Sequence, residues 1–368
     1  MRKDWEYKKW ADVLTIINGK NQKAVESIDG TYPIYGSGGI MGYANDWLCP
    51  ENCTIIGRKG NINKPIFVES KFWNVDTAFG LNSNQNLLAS KYLYYFCLNY
   101  DFNRHNKAVT IPSLTKVDLL KIEMPLPPKP TQLAIVAELD KINELIQLKK
   151  QQLEDYDQLA QSIFYEMFGD PVENEKGWEV KKLGEVCEVT SSKRIFADDY
   201  VEKGIPFYRS KEVIEKSKNL PISVELFITE EKYNNINKSY GVPQIDDILI
   251  TAVGTIGKIW KVNTIEPFYF KDGNIIWIRK YNEINSTYFK DSLYYLIDEF
   301  KKVNANGAAY NALTIIKLKQ MQVPLPPLPL QQQFAARIEA IERQKQQVSE
   351  TIKDLETLLA SRMQYWFD

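Results

Sequence analysis

The sequence predicts an α+β protein built twice over: a globular α/β domain, a long helix, then both again, with the halves related by an approximate two-fold. Three observations carry this. The phrase "MPLPPKPTQLAIVAELDKI" at Met124 returns 199 positions later as "VPLPPLPLQQQFAARIEAI" at Val323. The same offset puts Leu114-Thr115 on Leu313-Thr314, and Ser162 and Phe168 on Ser361 and Phe367, without a gap. The fronts match at offset 173, "WEYKKWADV" at Trp5 on "WEVKKLGEV" at Trp178, followed by Pro33, Tyr35 and Ser37 on Pro206, Tyr208 and Ser210. At offset 200, Leu93-Tyr94-Tyr95 falls on Leu293-Tyr294-Tyr295. A repeat of this period fixes the architecture before any local detail. The expected domains are 1–123, 124–170, 171–322 and 323–368.

The globular domains are read from short β-rich runs broken by Gly, Asn and Pro turns. These are "NCTIIG" and "PIFVES" in the first and "DILITAVG" and "NIIWIRK" in the second, with helical patches at "KYLYYFCLNY" and "DSLYYLIDEF". The helices are read from a heptad pattern. In the first copy Ile135, Leu139, Ile142, Ile146, Lys149, Leu153, Tyr156, Ala160, Ile163 and Met167 alternate spacings of 4 and 3. The second copy gives Phe334, Ile338, Ile341, Lys345, Val348, Ile352, Leu355, Leu359, Arg362 and Trp366. Only Lys149, Lys345 and Arg362 interrupt the apolar seam. Each helix should follow its rigid "PLPP" and run about 36 residues, or roughly 54 Å, with Gly169 and Pro171 stopping the first. Neither stripe is stable alone, so the two helices are expected to pair antiparallel as a coiled coil.

Composition narrows the function classes. The 368 residues are 44% hydrophobic and 12% aromatic, which fits a well-cored chain rather than a disordered one. The charged start "MRKDWEYKKW" and the absence of a long apolar run predict a cytoplasmic protein. Cys49, Cys53, Cys97 and Cys187 fit reduced thiols, and with His105 the only histidine no zinc site is expected. The net charge of -1 hides an uneven distribution. Residues 121–170 hold 5 basic and 9 acidic side chains and residues 324–368 hold 5 and 6, together -5, which leaves +4 on the globular domains.

Catalytic motifs are missing. "AVGTIGKI" has Ala252 where a phosphate loop needs its first glycine and Ile259 after Lys258, so it reads as strand-turn-strand. "YGSGGIMG" breaks the dinucleotide fingerprint at Met41. Glu-x-Lys occurs at five places, as chance allows, and His105 is the only imidazole available to a triad. The Asn-Pro-Pro-aromatic signature of adenine methyltransferases is absent. The chain is therefore expected not to be an enzyme.

Two gapless "PLPP" helices, each opened by a nearby Gln, together with "YPIYGSGGIMGY" and "IIGRKGNINKP", resemble a specificity (S) subunit of type I restriction-modification enzymes. The resemblance covers essentially the whole chain. It implies that each globular domain is a target-recognition domain for half of a bipartite DNA site. It also implies spacer helices that set the gap and bind methyltransferase (M) subunits, two of them, with restriction (R) subunits joining the complex. S-adenosylmethionine, ATP and Mg would then serve the assembly in DNA methylation and phage defence, with none held by this subunit. Two departures stand out: Asn61 and Asn63 occupy "GRKGNIN" where the family more often has Thr and Gly, and the second domain shows "FYRSKEV" in place of the glycine-rich run.

The residues themselves point the same way. Base reading needs Arg or Lys for guanine and Asn or Gln for adenine, over phosphate contacts that position. Such residues fill three matched loops: "YGSGG" and "YRSK", "GRKGNINK" and "VGTIGK", "NRHNKAVTIPS" and "NANGAAYNA". The expected contacts are Ser37, Arg58, Lys59, Arg104, Asn106 and Lys107 in the first domain. In the second they are Lys193, Arg194, Arg209, Lys211, Lys258, Asn304, Asn306 and Tyr310. The rival reading is a coiled-coil scaffold that organises protein partners without touching DNA.

Overall fold

The computed structural model describes residues 5–106, 111–304 and 313–368. The chain divides into two compact units, 1–153 with 347–368 and 154–346, so each unit contains a globular part and a portion of each long helix.

In the first unit β1 (Glu6–Lys9), α1 (Trp10–Val13) and β2 (Leu14–Asn18) lead to β3 (Tyr32–Gly36), β4 (Gly39–Ala44), β5 (Cys53–Gly57), β6 (Ile66–Val68), β7 (Trp73–Asn74) and β8 (Ala78–Ser83). Then come α2 (Ser90–Asn99), α3 (Lys116–Leu119), β9 (Glu123–Leu126) and α4 (Lys129–Phe168). Strands β2-β8-β5-β6 form an antiparallel sheet and β4-β3-β7 a smaller one. β5 is buried along its length, as its unbroken "CTIIG" requires, while β2 alternates Leu14 and Ile16 inward with Thr15 outward.

The second unit repeats this frame. It comprises β10 (Glu179–Lys182), α5 (Leu183–Val186), β11 (Glu188–Thr190), β12 (Tyr200–Val201), β13 (Ile205–Tyr208), α6 (Ser210–Ser217), β14 (Phe227–Ile228) and α7 (Glu230–Tyr240). After them come β15 (Ile248–Thr251), β16 (Ile259–Lys261), β17 (Tyr269–Phe270), β18 (Ile275–Arg279), α8 (Ser286–Asn304), α9 (Ile315–Gln320), β19 (Gln322–Leu325) and α10 (Leu328–Phe367). Its sheet β11-β18-β15-β16 has the order of the first. Likewise β13 pairs parallel with β17 as β3 does with β7.

The repeated phrase is a joint. Its prolines lie in β9 and β19, which pair with the front strands in one register: Glu6 opposite Leu126, and Glu179 opposite Leu325. A two-stranded ladder tolerates proline because its outer edge needs no donor. The Tyr92 hydroxyl donates to the Pro125 carbonyl at 3.1 Å, and that of Tyr288 to Pro324 at 2.8 Å. Gln132, fully buried, accepts from the Ala89 amide at 2.8 Å and donates to the Leu87 and Pro127 carbonyls at 2.9 Å. Gln331 repeats this, accepting from the Asn285 amide at 2.8 Å and donating to Pro326 at 2.7 Å.

These bonds correct one expectation. They align Tyr92 with Tyr288 and Ala89 with Asn285, an offset of 196 rather than the 200 read from the "LYY" match. Four residues is about one helical turn, so both alignments bury the same face and the sequence alone selected the wrong one.

Both long helices have 40 residues, four more than expected, or about 60 Å. They begin right after "PLPP" because Pro130 and Pro329 sit in the first turn, where an amide hydrogen has no helical partner. Gly169, at φ +74°, ends α4. None of the twenty seam residues is exposed. In the first unit Ile135 and Leu139 share a core with Phe367, against which Leu359, Met363 and Trp366 pack. There Arg362 pairs with Glu138, and Lys150 with Glu356 at 2.9 Å, so the segments run antiparallel. In the second unit Phe164 and Phe168 join Phe334 and Ile338, and Lys345 pairs with Asp157 at 2.7 Å. Phe367 packs on Tyr92 and Phe168 on Tyr288, with ring centroids 5.1 and 4.6 Å apart. Each core is thus closed by the front of its own helix and the tail of the other.

Candidate nucleic-acid interface

In the first unit the three basic and amide-rich loops converge. Ser37 lies in the turn between β3 and β4, and a Cβ at Gly60 would be 3.9 Å from its Oγ, so the first loop touches the second. Arg58 and Lys59 directly follow β5. The third loop is stitched to this segment. Lys59 bridges Ser113, the Gly60 amide donates to Pro112 at 3.0 Å, and the Leu114 amide donates to Arg58 at 2.9 Å. Asn63 adds a clamp, accepting from the Phe102 amide at 2.8 Å and donating to Asp101 at 3.1 Å.

The candidate side chains here have different occupations. Arg58 is half-buried, reaches the Asp76 carbonyl at 3.4 Å and lies over the Phe79 ring. Lys59 and Arg104 are exposed, and among the described residues neither pairs with a carboxylate; Arg104 lies 5.9 Å from the Tyr100 ring centre. Asn106 accepts from the Ser113 amide at 3.0 Å, so its side-chain oxygen holds the loop closed. His105 stacks on Tyr100 and shares a 2.7 Å hydrogen bond with its hydroxyl. Lys107 lies outside the described residues.

The second unit keeps the frame and changes the loops. The Leu313 amide donates to Ala252 at 3.1 Å, as Leu114 does to Arg58, so Ala252 stands where the first unit has its arginine. Lys258 is half-buried after a turn with Gly254 and Gly257 at φ +72° and +77°, and its amide donates to Thr251. β13 runs straight into α6, whereas β3 turns back into β4. Arg209, at the start of α6, pairs with Glu212 at 3.1 Å and Glu225 at 2.9 Å, and Lys211 pairs with Glu225 at 3.4 Å. These carboxylates hold the Arg209 pKa above its ordinary value, chiefly through the Glu212 hydrogen bond. Arg194 pairs with Asp272 at 2.9 Å, and the Lys193 ammonium lies 4.0 Å from the Tyr240 ring centre. Asn304 ends α8, while Asn306 and Tyr310 lie outside the described residues.

All four cysteines are free and buried, and burial pushes their thiols up, Cys53 and Cys187 to about 12. Among the described residues no group of His, Cys, Asp or Glu is placed to hold a metal ion, and no helix is long and apolar enough to cross a membrane.

Comparison with known proteins adds the following. The family described as type I restriction modification DNA specificity domain matches twice, over residues 2–155 and 175–357. A Haemophilus influenzae chain named as a type I restriction enzyme specificity subunit is 25% identical over 367 residues, 94% of this chain and 89% of that one. The crystal structure of a type I restriction-modification system S subunit from M. genitalium superposes with a TM-score of 0.58 at 18% identity, covering 100% of this chain and 98% of the other. A chain from work on complex assembly and conformational transition of the type I R-M system gives a TM-score of 0.62 at 18% identity over 99% and 97%.

Proposed function

Since the chain belongs to the type I restriction modification DNA specificity domain family, matched once in each half, we propose that its two units read the two halves of a bipartite, asymmetric DNA target. The observation that carries this is the repeated frame with unlike loops: equivalent ladders and glutamine staples present Arg58 in one unit and Ala252 in the other. Different side chains on one scaffold select different bases, since sequence is read at base edges while the frame only positions.

In the first unit Lys59 and Arg104 contact phosphates, with Ser37, Arg58, Asn106 and Lys107 nearer the bases. In the second, Lys193, Arg194, Lys258, Asn304, Asn306 and Tyr310 take these tasks, and Arg209 and Lys211 do so only by exchanging their carboxylate partners for DNA. The subunit is itself non-catalytic. S-adenosylmethionine, ATP and Mg act on partner chains, two methyltransferase subunits and the restriction subunits, and flipping the target adenine needs a pocket that those chains supply. The two long helices act as an antiparallel coiled coil that sets the gap between half-sites. The scaffold alternative draws no support from the family match.

The test is to exchange residues 1 to 122 for the corresponding domain of a relative and sequence the methylome of cells carrying the chimera with its methyltransferase. One half-site should change and the other persist. A joint change of both would defeat independent reading.

A further inference from the structure

We infer that the β3–β4 hairpin of the first unit reads thymine through its 5-methyl group, with Ile40 and Met41 as the specificity-determining side chains. This rests on the DNA-reading function proposed above. Ile40 and Met41 are 56% and 60% exposed although they are consecutive residues of one strand, whose side chains ordinarily alternate between faces. The cause is a β-bulge. Ile34 faces Gly42 and Tyr35 faces Ile40, so Met41 is the extra residue with no partner across the ladder. Bulges re-aim side chains and recur beside functional sites. β4 is also the edge strand of its three-stranded sheet, and the segment that bridges it, Glu26 opposite Ala44, joins it at its last residue rather than at Ile40 or Met41.

Two neighbouring apolar side chains left in water favour being covered, and the surroundings indicate by what. The hairpin turn lies against the second loop: a Cβ at Gly38 would be 3.8 Å from Asn61 Nδ2, and one at Gly60 3.9 Å from Ser37 Oγ. That loop carries Lys59, whose ammonium has no carboxylate partner among the described residues. An apolar strand edge on a hairpin whose turn lies against the loop of an unneutralised cation, Lys59, complements a polyanion that displays methyl groups. Duplex DNA does so in its major groove, which admits a two-stranded β-ribbon and exposes the thymine 5-methyl. In the second unit β13 leads into α6 instead of such a hairpin, so the preference belongs to one half-site only.

The experiment uses the full chain assembled with its methyltransferase partner, on a duplex carrying the target mapped by methylome sequencing. Each thymine is replaced in turn by deoxyuridine, which removes only the methyl. In the half-site of the first unit, one or two replacements should weaken wild-type binding about fourfold, the value of burying one methyl. Ile40→Ala combined with Met41→Ala should abolish that penalty, and Met41→Gln, which keeps the side-chain length, should reduce it. Unchanged penalties in the other half-site verify that the variants are folded. The inference is overturned if every penalty persists in the variants or if the wild type shows none in this half-site. A rise in 2-aminopurine emission in this half-site at a step away from the methylated adenine and its neighbours, marking unstacking by a wedge rather than base flipping, also overturns it. Absence of any site-specific binding by the assembly would instead defeat the functional reading beneath it.

Discussion

Replacing Arg209 by Met should destabilise the second unit before it alters any DNA contact. Glu212 is buried, its side chain 1% exposed, and Arg209, 33% exposed, is its ion-pair partner among the described residues. Removing one member of a fully buried pair costs about 3–5 kcal/mol. Two features lower that figure here: the guanidinium is one-third in water, and Glu212 keeps the 2.8 Å bond from the backbone amide of residue 209. We expect about 2 kcal/mol, a fall of roughly 4–8 °C in the melting temperature of a unit of this size. Met preserves the apolar stem, so the loss isolates the charge. Adding Glu212→Gln removes the stranded carboxylate and should recover most of the difference. Thermal and urea unfolding of the full chain, followed by circular dichroism, measure both steps. A single variant within about 0.5 kcal/mol of wild type, or a double variant no more stable than the single, would refute the argument. If the refolded double variant also relaxed one base position of the half-site, Arg209 would read DNA as well as hold α6.

The other predictions concern the joints and the helices. Gln132→Met should orphan three backbone groups, buried or half-buried, at about 3–4 kcal/mol, and Gln331→Met two, at about 2–3 kcal/mol. Amide exchange at Ala89 and Asn285 reports both losses, and the reverse ranking would count against the bookkeeping. The Arg362 hydrogen bond, aided by Trp366 Nε1, holds Glu138 below the usual carboxylate range. A depressed folded pKa contributes stability that is present above the unfolded value, near 4.3, and lost as pH falls through the folded one. Glu138→Gln should therefore flatten the decline in melting temperature below about pH 5, and an unaltered acid limb would reject the assignment. One heptad inserted after Gln151 and another after Glu350 should lengthen each helix by about 10 Å and the preferred gap by about three base pairs. Selection from a library of randomised gaps would detect it, and an unmoved gap preference in folded, DNA-binding variants would free the helices of that role.

Much of the frame was legible because it depends on local pattern. "NCTIIG" and "DILITAVG" announce buried strands, and the heptads announce seams that the structure covers at every position. What escaped depends on contacts distant in sequence. Arg209 and Lys211 looked like a basic cluster, yet their charge is met by Glu225, which sits 16 residues from Arg209 with no periodic relation to it. The convergence of the loops at Lys59 needs the ladder contact with Ser113, 54 residues on, which no spacing rule foresees. The exposed glycine-rich run was identified as a loop, but its bulge was not, because one unpaired residue leaves no trace in hydrophobic periodicity.

The same division would let a duplicated chain present two unlike surfaces, as the proposed function requires. Residues that hold the frame do so through side chains that bond backbone groups: Gln132 to the Ala89 amide, Tyr92 to the Pro125 carbonyl, and Gln331 and Tyr288 likewise in the second unit. Substituting either glutamine or either tyrosine breaks such a bond, so these four side chains stay alike in the two copies. Lys59 and Arg104 carry no such penalty, since both face water, whereas Asn63 and Asn106 in the same loops are tied to backbone amides. Ala252 replaces Arg58 while the backbone bond at that position survives, with Leu313 donating where Leu114 does. A backbone anchor indifferent to side chain lets the frame persist while the loop residues vary. Divergence of specificity then costs little stability, provided that new cations arrive free of buried carboxylate partners. Arg209 does not meet that condition, because it is paired with the buried Glu212 at the start of α6.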